Sequence, residues 1–307
     1  MAIQVGINGF GRIGRIALRS MIERGSHSYH ICGINLRNAD LDFMVYQVKY
    51  DSVFRTFYGT VEHDRQNLIV NGQKIRVYSY SDAAEIPWDD CYAEYIIEST
   101  GAYLTKEKAS VHLKNGAKKV ILSAPSKDTV TPTFVMGVNH ETYKPDMDVV
   151  SNASCTTNCL APMTKVINDT FGIEQALMST IHSATAKQKP VDSRGGKDWR
   201  TGRSVLGNII PSTTASYHDV CVAMENAAQH SMKGIITCTS DPVVSSDLTG
   251  FPQTCIFDET AGIMLDDNFV KCIAWYDNEW GYTNKLIDLL TYMHSVDHPV
   301  GVFSDER

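Results

Sequence analysis

Ile3-Gln4-Val5-Gly6-Ile7-Asn8-Gly9-Phe10-Gly11-Arg12-Ile13-Gly14 is the stretch whose reading decides the fold. Ile3, Val5 and Ile7 alternate as in a strand, and Gly9, Gly11 and Gly14 form a GxGxxG. A helical pattern follows, with Ile13, Ile16, Ala17, Ser20 and Met21 on one face and Gly25 near its end. Tyr29 to Asn35 reads as a second strand. A lone GxGxxG is a weak signal; between a strand and a helix, inside a unit of about 30 residues, it is the dinucleotide-binding pattern in its proper context. The glycines allow a tight turn, a close approach of backbone to a pyrophosphate, and close packing of helix on strand. The helix N-terminus then faces the negative charge. The competing reading is a glycine-rich turn in an unrelated α/β protein.

The second strand ends at Asn35-Leu36-Arg37-Asn38, where a dinucleotide site normally carries an acid for the adenosine ribose, about 20 residues past the glycines. The acid is missing and Arg37 is adjacent. An Asp would repel a 2′-phosphate, whereas an Arg pairs with one. NADP is therefore expected to be accepted, against the reading of Arg37 as a solvated loop residue and with Asp40 close by. Further on, Asn71-Gly72 between two apolar alternating runs, 67–70 and 73–78, marks a hairpin. The short apolar runs 95–98 and 120–122 read as parallel strands, ending in Ser99-Thr100-Gly101 and Ser123-Ala124-Pro125-Ser126. Ligands on open α/β sheets bind outside the carboxyl ends of strands. Thr100, Gly101 and Ser123 are thus candidate cofactor contacts, or else plain turn residues.

A second stretch carries the chemistry: Ser151-Asn152-Ala153-Ser154-Cys155-Thr156-Thr157-Asn158-Cys159. It follows a strand-like run (Met147, Val149, Val150) and precedes a helical pattern at Leu160, Met163, Val166, Ile167 and Phe171, stopped by Gly172. Cys155 therefore sits where a strand hands over to a helix, with Ser154 as N-cap and Thr156 and Thr157 in the first turn. Orphan amide N–H groups and the helix dipole favour a thiolate there, so a pKa below the free value of about 8.5 is expected. An average cysteine is more often inert packing, but the small polar neighbours argue against a dry core. Cys159, one turn on, reads as packing or as an oxidation liability. Of ten histidines, His182 has the best context for a base: it ends an apolar run, 176–181, that reads as a strand returning to the Cys155 end of the sheet. Beyond it lie a polar, Gly-rich loop from Lys189 to Arg203, a helical stretch at about 219–231, a strand Val270–Tyr276, and a closing helix from about Thr283 to Ser295.

Composition excludes several classes. A net charge of −7 gives no basic face for nucleic acid, and no apolar run approaches the roughly 20 residues of a membrane span. The eight cysteines are scattered, without CxxC or zinc-ligand spacing. No metal is expected, and a reducing cytoplasm is. A strand already begins at Ile3, so no signal or transit peptide is expected.

With Ile7-Asn8-Gly9-Phe10-Gly11-Arg12-Ile13-Gly14-Arg15, the Ser151–Cys159 stretch and Trp275-Tyr276-Asp277-Asn278-Glu279-Trp280-Gly281-Tyr282, the chain closely resembles phosphorylating glyceraldehyde-3-phosphate dehydrogenase, over residues 1 to about 214 and about 216 to 295. The resemblance implies an α/β protein: a Rossmann-type cofactor domain (1–152, with 283–307 returning to it) and an α+β catalytic domain with a mixed or antiparallel sheet (153–282). It implies a cytoplasmic homotetramer that uses NAD or NADP and acts on an aldose phosphate and inorganic phosphate. Residue by residue, Cys155 is implied as nucleophile and His182 as its activator. Arg12 and Ile13 are implied to meet the pyrophosphate. Leu36 stands in the place of the adenosine-site acid, Ser81 near the adenine, and Thr100, Gly101 and Ser123 along the cofactor. Asn278 is implied to hold the nicotinamide carboxamide, with Tyr282 nearby. Ser154, Thr156, Thr185 and Thr214 match substrate or phosphate contacts, and Lys187 replaces a second phosphate-site Thr. Ser193-Arg194 stands where NAD-specific members are bulkier, which leans toward NADP.

The resemblance breaks after Thr214. Several tens of residues of the family pattern are absent, including two core strands and the arginine that clamps the substrate phosphate. Ala215 stands in the place of a Gly. Burying one large apolar side chain contributes about 1.5–3 kcal/mol and whole domains are stable by only about 5–15 kcal/mol, so such a loss requires repacking. A rebuilt substrate domain, an impaired variant and an omitted segment stay open. So do two functions: oxidative phosphorylation of glyceraldehyde 3-phosphate to 1,3-bisphosphoglycerate (or oxidation of the related erythrose 4-phosphate), and a nucleotide-binding paralogue without turnover.

Overall fold

The computed structural model describes residues 2–182 and 218–299, apart from 26 and 267. The first unit runs β1 (Ile3–Asn8), α1 (Arg12–Arg24), β2 (Tyr29–Asn35), α2 (Leu41–Lys49) and a small hairpin of β3 (Tyr50–Asp51) and β4 (Arg55–Thr56). It continues through β5 (Val61–His63), β6 (Asn67–Val70), β7 (Gln73–Tyr78), β8 (Tyr95–Glu98), α3 (Lys106–Ala109), β9 (Lys119–Leu122) and β10 (Val149–Ser151). One sheet holds eight of these strands in the order β10-β9-β8-β1-β2-β7-β6-β5. The pairs from β10 through to β7 are parallel, and the β5-β6-β7 edge is antiparallel. The strand order reverses between β1 and β8, which puts the topological switch point at the carboxyl ends of those two strands.

Both faces of this sheet are covered, and the alternation along each strand sorts side chains between them. Val5, Ile7, Ile97, Ile121 and Val150 join one core with Ala17, Leu18 and Met21 of α1. Ile96, Val120, Leu122 and Val149 join the other, around the fully buried Trp88. Asn71 (φ 49°) and Gly72 (φ 81°) both take positive φ, as a two-residue hairpin turn of this hand requires.

The second unit comprises α4 (Cys155–Phe171), α5 (His218–Gln229), β11 (Ile236–Thr239), β12 (Cys255–Asp258), β13 (Ile263–Asp266), β14 (Phe269–Lys271) and β15 (Ala274–Trp275), and α6 (Trp280–Asp297) follows it. Its described sheet is mixed, β11 pairing parallel and β15 antiparallel with β12. Val166 of α4, Val220 and Met224 of α5, and Ile236 and Phe257 of the sheet close a third core. Helix α6 belongs elsewhere: Leu286, Ile287, Leu290 and Met293 are fully buried in the first core, and Ser20 and Arg24 of α1 bond Asn284 and Asp288.

Two expected strands differ. Residues 176–182 form none: Leu177 is 96% and Ile181 75% exposed. A strand needs a neighbour for its N–H and C=O groups, and among the described residues none pairs with this run. The expected strand 270–276 is divided between β14 and β15, which pair with different partners.

Leu290→Ala should lower the unfolding free energy by about 2–5 kcal/mol, because it opens a cavity in the first core. Denaturant unfolding followed by circular dichroism measures it; a loss below about 1 kcal/mol would mean that α6 does not close that core.

Candidate active site

The cofactor side of the site starts at the end of β1. Gly9 has φ +99°, and a Cβ there would stand 2.8 Å from both the Ser99 carbonyl carbon and the Thr100 nitrogen. A Cβ on Gly14 would collide with the carbonyl oxygen of Gly9. These glycines therefore form a bare cradle, with Gly11 opening to free space. No side chain caps the N-terminus of α1, so its first amide N–H groups remain available to an anion. The cradle and the uncapped helix fit a pyrophosphate.

Around this cradle the expected residues are spread as the strands dictate. Arg12 is the first residue of α1, but its guanidinium is committed: Nε donates to Glu279 Oε1 at 2.8 Å, Nη2 to Glu279 Oε2, and Nη1 to Asp51. What Arg12 and Ile13 offer a pyrophosphate is backbone. Leu36 is half-buried past β2, its N–H donating to the Tyr78 carbonyl at 3.2 Å. Arg37 is exposed and makes no ion pair among the described residues. Asp40 caps α2, accepting from the Phe43 N–H at 3.1 Å. Ser81 is exposed beyond β7. Thr100 and Gly101 (φ +73°) follow β8, and the Ser123 N–H donates to the Glu98 carbonyl at 3.0 Å.

The thiol side starts where β10 gives way to α4. Ser154 caps the helix, its Oγ accepting from the Thr157 N–H at 3.0 Å. Ala153 is held at φ +54°, a left-handed conformation that costs a non-glycine residue about 1–3 kcal/mol. Cys155 is the first helical residue, and its Sγ lies 3.2 Å from His182 Nε2. Tyr276 joins the pieces: its hydroxyl bonds Thr156 Oγ1 at 2.8 Å and Thr180 Oγ1 at 3.0 Å, and its ring stands edge-on to His182, 5.8 Å between centroids. The expected strand is absent, yet His182 still reaches the thiol, because Tyr276 ties its segment to the first turn of α4. Asn278 sits between β15 and α6, and Tyr282 of α6 donates to the Ala153 carbonyl at 3.1 Å. The Asn278 segment is thus anchored to the loop before Cys155. Thr185, Lys187, Thr214 and Ala215 lie outside the described residues.

Burial pushes the Cys155 thiol above its ordinary pKa, opposed by the backbone and side chain of Thr156. This reverses the sequence expectation, which counted the helix N-terminus and not the loss of water. The 3.2 Å contact places His182 Nε2 where it can take the thiol proton. Sequence reasoning missed four contributors: Tyr276, Glu279, Asp51 and the buried Glu98. Tyr276 and Glu279 lie inside a quoted motif, while Asp51 and Glu98 carried no local signal. No group of three or more metal-ligating side chains occurs among the described residues.

The sequence model described as "Glyceraldehyde 3-phosphate dehydrogenase, NAD binding domain" matches residues 3–106. Its C-terminal counterpart, "Glyceraldehyde 3-phosphate dehydrogenase, C-terminal domain", matches in two pieces, 154–220 and 213–278. The glyceraldehyde-3-phosphate dehydrogenase of Monascus purpureus is 48% identical, over 96% of this chain and 98% of the relative. That of Emericella nidulans is 47% identical over 97% and 99%. A relative from Gracilaria gracilis named as cytosolic is 46% identical over 94% and 98%. The Monascus alignment spans 335 positions against 307 residues here, so the relative carries residues with no counterpart in this chain.

In the free protein, alkylation of Cys155 by iodoacetamide should rise with pH through a midpoint above the ordinary thiol value of about 8.5, because burial raises it. His182→Ala should move that midpoint further up, since it removes the cation that forms when the proton is taken. A midpoint near pH 6 in the unaltered chain would show a resting ion pair instead.

Proposed function

The chain belongs to the glyceraldehyde-3-phosphate dehydrogenase family, an NAD-dependent oxidoreductase family of glycolysis, and from that premise we propose the chemistry of its site. The substrate is glyceraldehyde 3-phosphate, the nucleophile Cys155 and the base His182. The observation that carries this reading is the 3.2 Å Sγ–Nε2 contact at the start of α4. His182 takes the thiol proton as Sγ adds to the aldehyde carbon, which gives a hemithioacetal. The Cys155 N–H, at the helix N-terminus, and the imidazolium stabilise its oxyanion, which then takes the proton from His182 to become the hydroxyl and leaves the imidazole neutral. Bound in the crevice, NAD supplies the acceptor for the hydride that leaves this carbon. His182 accepts the hydroxyl proton as the C=O forms, leaving a thioester on Cys155. Inorganic phosphate attacks the thioester, releases 1,3-bisphosphoglycerate and returns the thiolate. Ser154 and Thr156 flank the nucleophile as substrate or phosphate contacts, with Thr185, Lys187, Thr214 and Ala215 retained from the resemblance in the same role.

For the cofactor, Gly9, Gly11, Gly14 and the N–H groups of Arg12 and Ile13 take the pyrophosphate. Leu36 and Ser81 border the adenosine, Thr100, Gly101 and Ser123 line the crevice, and Asn278 with Tyr282 addresses the nicotinamide. We infer that NADP is accepted beside NAD. Arg37 is exposed and makes no ion pair among the described residues, and the nearby Asp40 is engaged as a helix cap, so a 2′-phosphate would meet an available cation. A cytoplasmic homotetramer is the proposed assembly, supported by the cytosolic name of one relative and by an exposed row of rings, Phe43, Tyr46 and Tyr50, on and after α2. We assign 1–152 with 283–307 to the cofactor unit and 153–282 to the catalytic unit, and put the shortfall against the relatives after about Thr214.

That shortfall favours one second reading, a nucleotide-binding protein without turnover. Purified chain with phosphate, NAD or NADP, and glyceraldehyde 3-phosphate or erythrose 4-phosphate, followed at the absorbance of reduced cofactor, separates them. Turnover on the triose phosphate, lost at least 1,000-fold in Cys155→Ser, is expected. Cofactor binding without turnover would establish the second reading. Arg37→Asp should weaken NADP relative to NAD by about tenfold or more; unchanged relative affinity would remove Arg37 from the site.

A further inference from the structure

Beneath the cofactor crevice lies a buried polar chain that the chemistry above does not use. The Trp88 indole Nε1 donates to His112 Nδ1 at 3.0 Å, and His112 Nε2 stands 3.0 Å from Glu98 Oε2. Asn8 Nδ2 donates to that same Glu98 oxygen at 2.6 Å. Asn35 Nδ2 donates to Asn8 Oδ1 at 2.8 Å, and the Tyr80 N–H donates to Asn35 Oδ1 at 2.9 Å. His112 and Trp88 are 0%, Glu98 and Asn8 2% exposed.

The polarity of this chain is fixed at one end. An indole N–H can only donate. His112 Nδ1 is therefore the acceptor, and its proton sits on Nε2, aimed at Glu98. The carboxylate accepts from everything around it. Its second oxygen, Oε1, receives the Thr100 N–H at 2.8 Å and the Thr100 hydroxyl. Four donors on two oxygens match the acceptor capacity of a buried carboxylate. Thr100, held this way by both its N–H and its hydroxyl, belongs to the turn against which Gly9 packs without room for a Cβ. The Ser99 hydroxyl adds a bond to the Gly9 carbonyl at 2.8 Å. A movement of the 99–100 turn is thus a movement of the glycine cradle.

We propose that Glu98 and His112 are positioning residues for the dinucleotide, holding the Ser99–Thr100 turn in the place that keeps the Gly9 cradle open to a pyrophosphate. Glu98 acts through Thr100, and His112 acts by orienting Glu98 in the tautomer that Trp88 imposes. The inference rests on the dinucleotide reading of the crevice given above.

The test is the NAD dissociation constant of the full-length chain, by calorimetry, for the unaltered protein and three variants. Glu98→Gln presents an amide to donors that need an acceptor, and should weaken NAD binding at least tenfold. His112→Leu deletes both bonds of the imidazole and should do the same. His112→Gln can still accept from the indole and donate to the carboxylate, and should recover binding to within about threefold. A purely structural role predicts that stability and NAD affinity fall together; here the alkylation rate of Cys155 stays within twofold in each variant while affinity changes. Unaltered affinity in folded Glu98→Gln, or His112→Gln no better than His112→Leu, would overturn the proposal. If Glu98→Gln does not fold, the two His112 variants decide it. Absence of NAD binding in the unaltered chain would instead overturn the dinucleotide reading, and this proposal with it.

Discussion

One guanidinium joins two parts of the site that are 267 residues apart in the chain. Arg12 begins α1 beside the glycine cradle, and Glu279 stands at the start of α6, next to Asn278. A two-pronged Arg–carboxylate bond fixes orientation as well as distance. Asp51 takes the remaining prong and Phe54 lies under the guanidinium, 5.7 Å from its carbon. The first core then seals the arrangement by burying one face of α6. The junction thus ties the cradle directly to the Asn278 segment, beside the bonds of Ser20 and Arg24 to Asn284 and Asp288. The same helix reaches the thiol side through Tyr282 and the Ala153 carbonyl.

The Cys155 thiol is a balance between two opposed effects. Its place at a helix N-terminus stabilises negative charge, while its burial removes the water that would do so better. Burial dominates in the resting protein, which makes His182 the partner on which ionisation depends. The strain at Ala153 fits this arrangement, since it turns the chain sharply enough to present Cys155 at the helix start.

Local rules made much of this legible in the sequence. The βαβ unit, the Asn71-Gly72 turn and the Ser154 cap each depend on neighbours a few residues apart, so periodicity and capping chemistry disclose them. Cys155 and His182 were legible as a pair, although the strand meant to deliver His182 is not there. What stayed hidden is long-range. Glu98 read as the end of an apolar strand, and nothing nearby announced that His112, Asn8 and Thr100 would all donate to it. Arg12 read as a phosphate ligand because its two carboxylate partners are remote in sequence. The upward push on the Cys155 thiol is hidden for a related reason: burial is a property of the whole fold and not of the motif.

The catalytic unit is the part under most tension. Cys155 and His182 are in contact, yet curated relatives carry residues that this chain lacks, and the run before His182 is exposed. The central claim is that Cys155 and His182 nevertheless complete the oxidation step. Rapid mixing of the chain with NAD and glyceraldehyde 3-phosphate, with phosphate omitted, tests it directly. A burst of reduced cofactor approaching one equivalent per chain, with an acyl group found by mass spectrometry on Cys155, is the expected result. Saturable NAD binding with neither burst nor acylated Cys155 would contradict it.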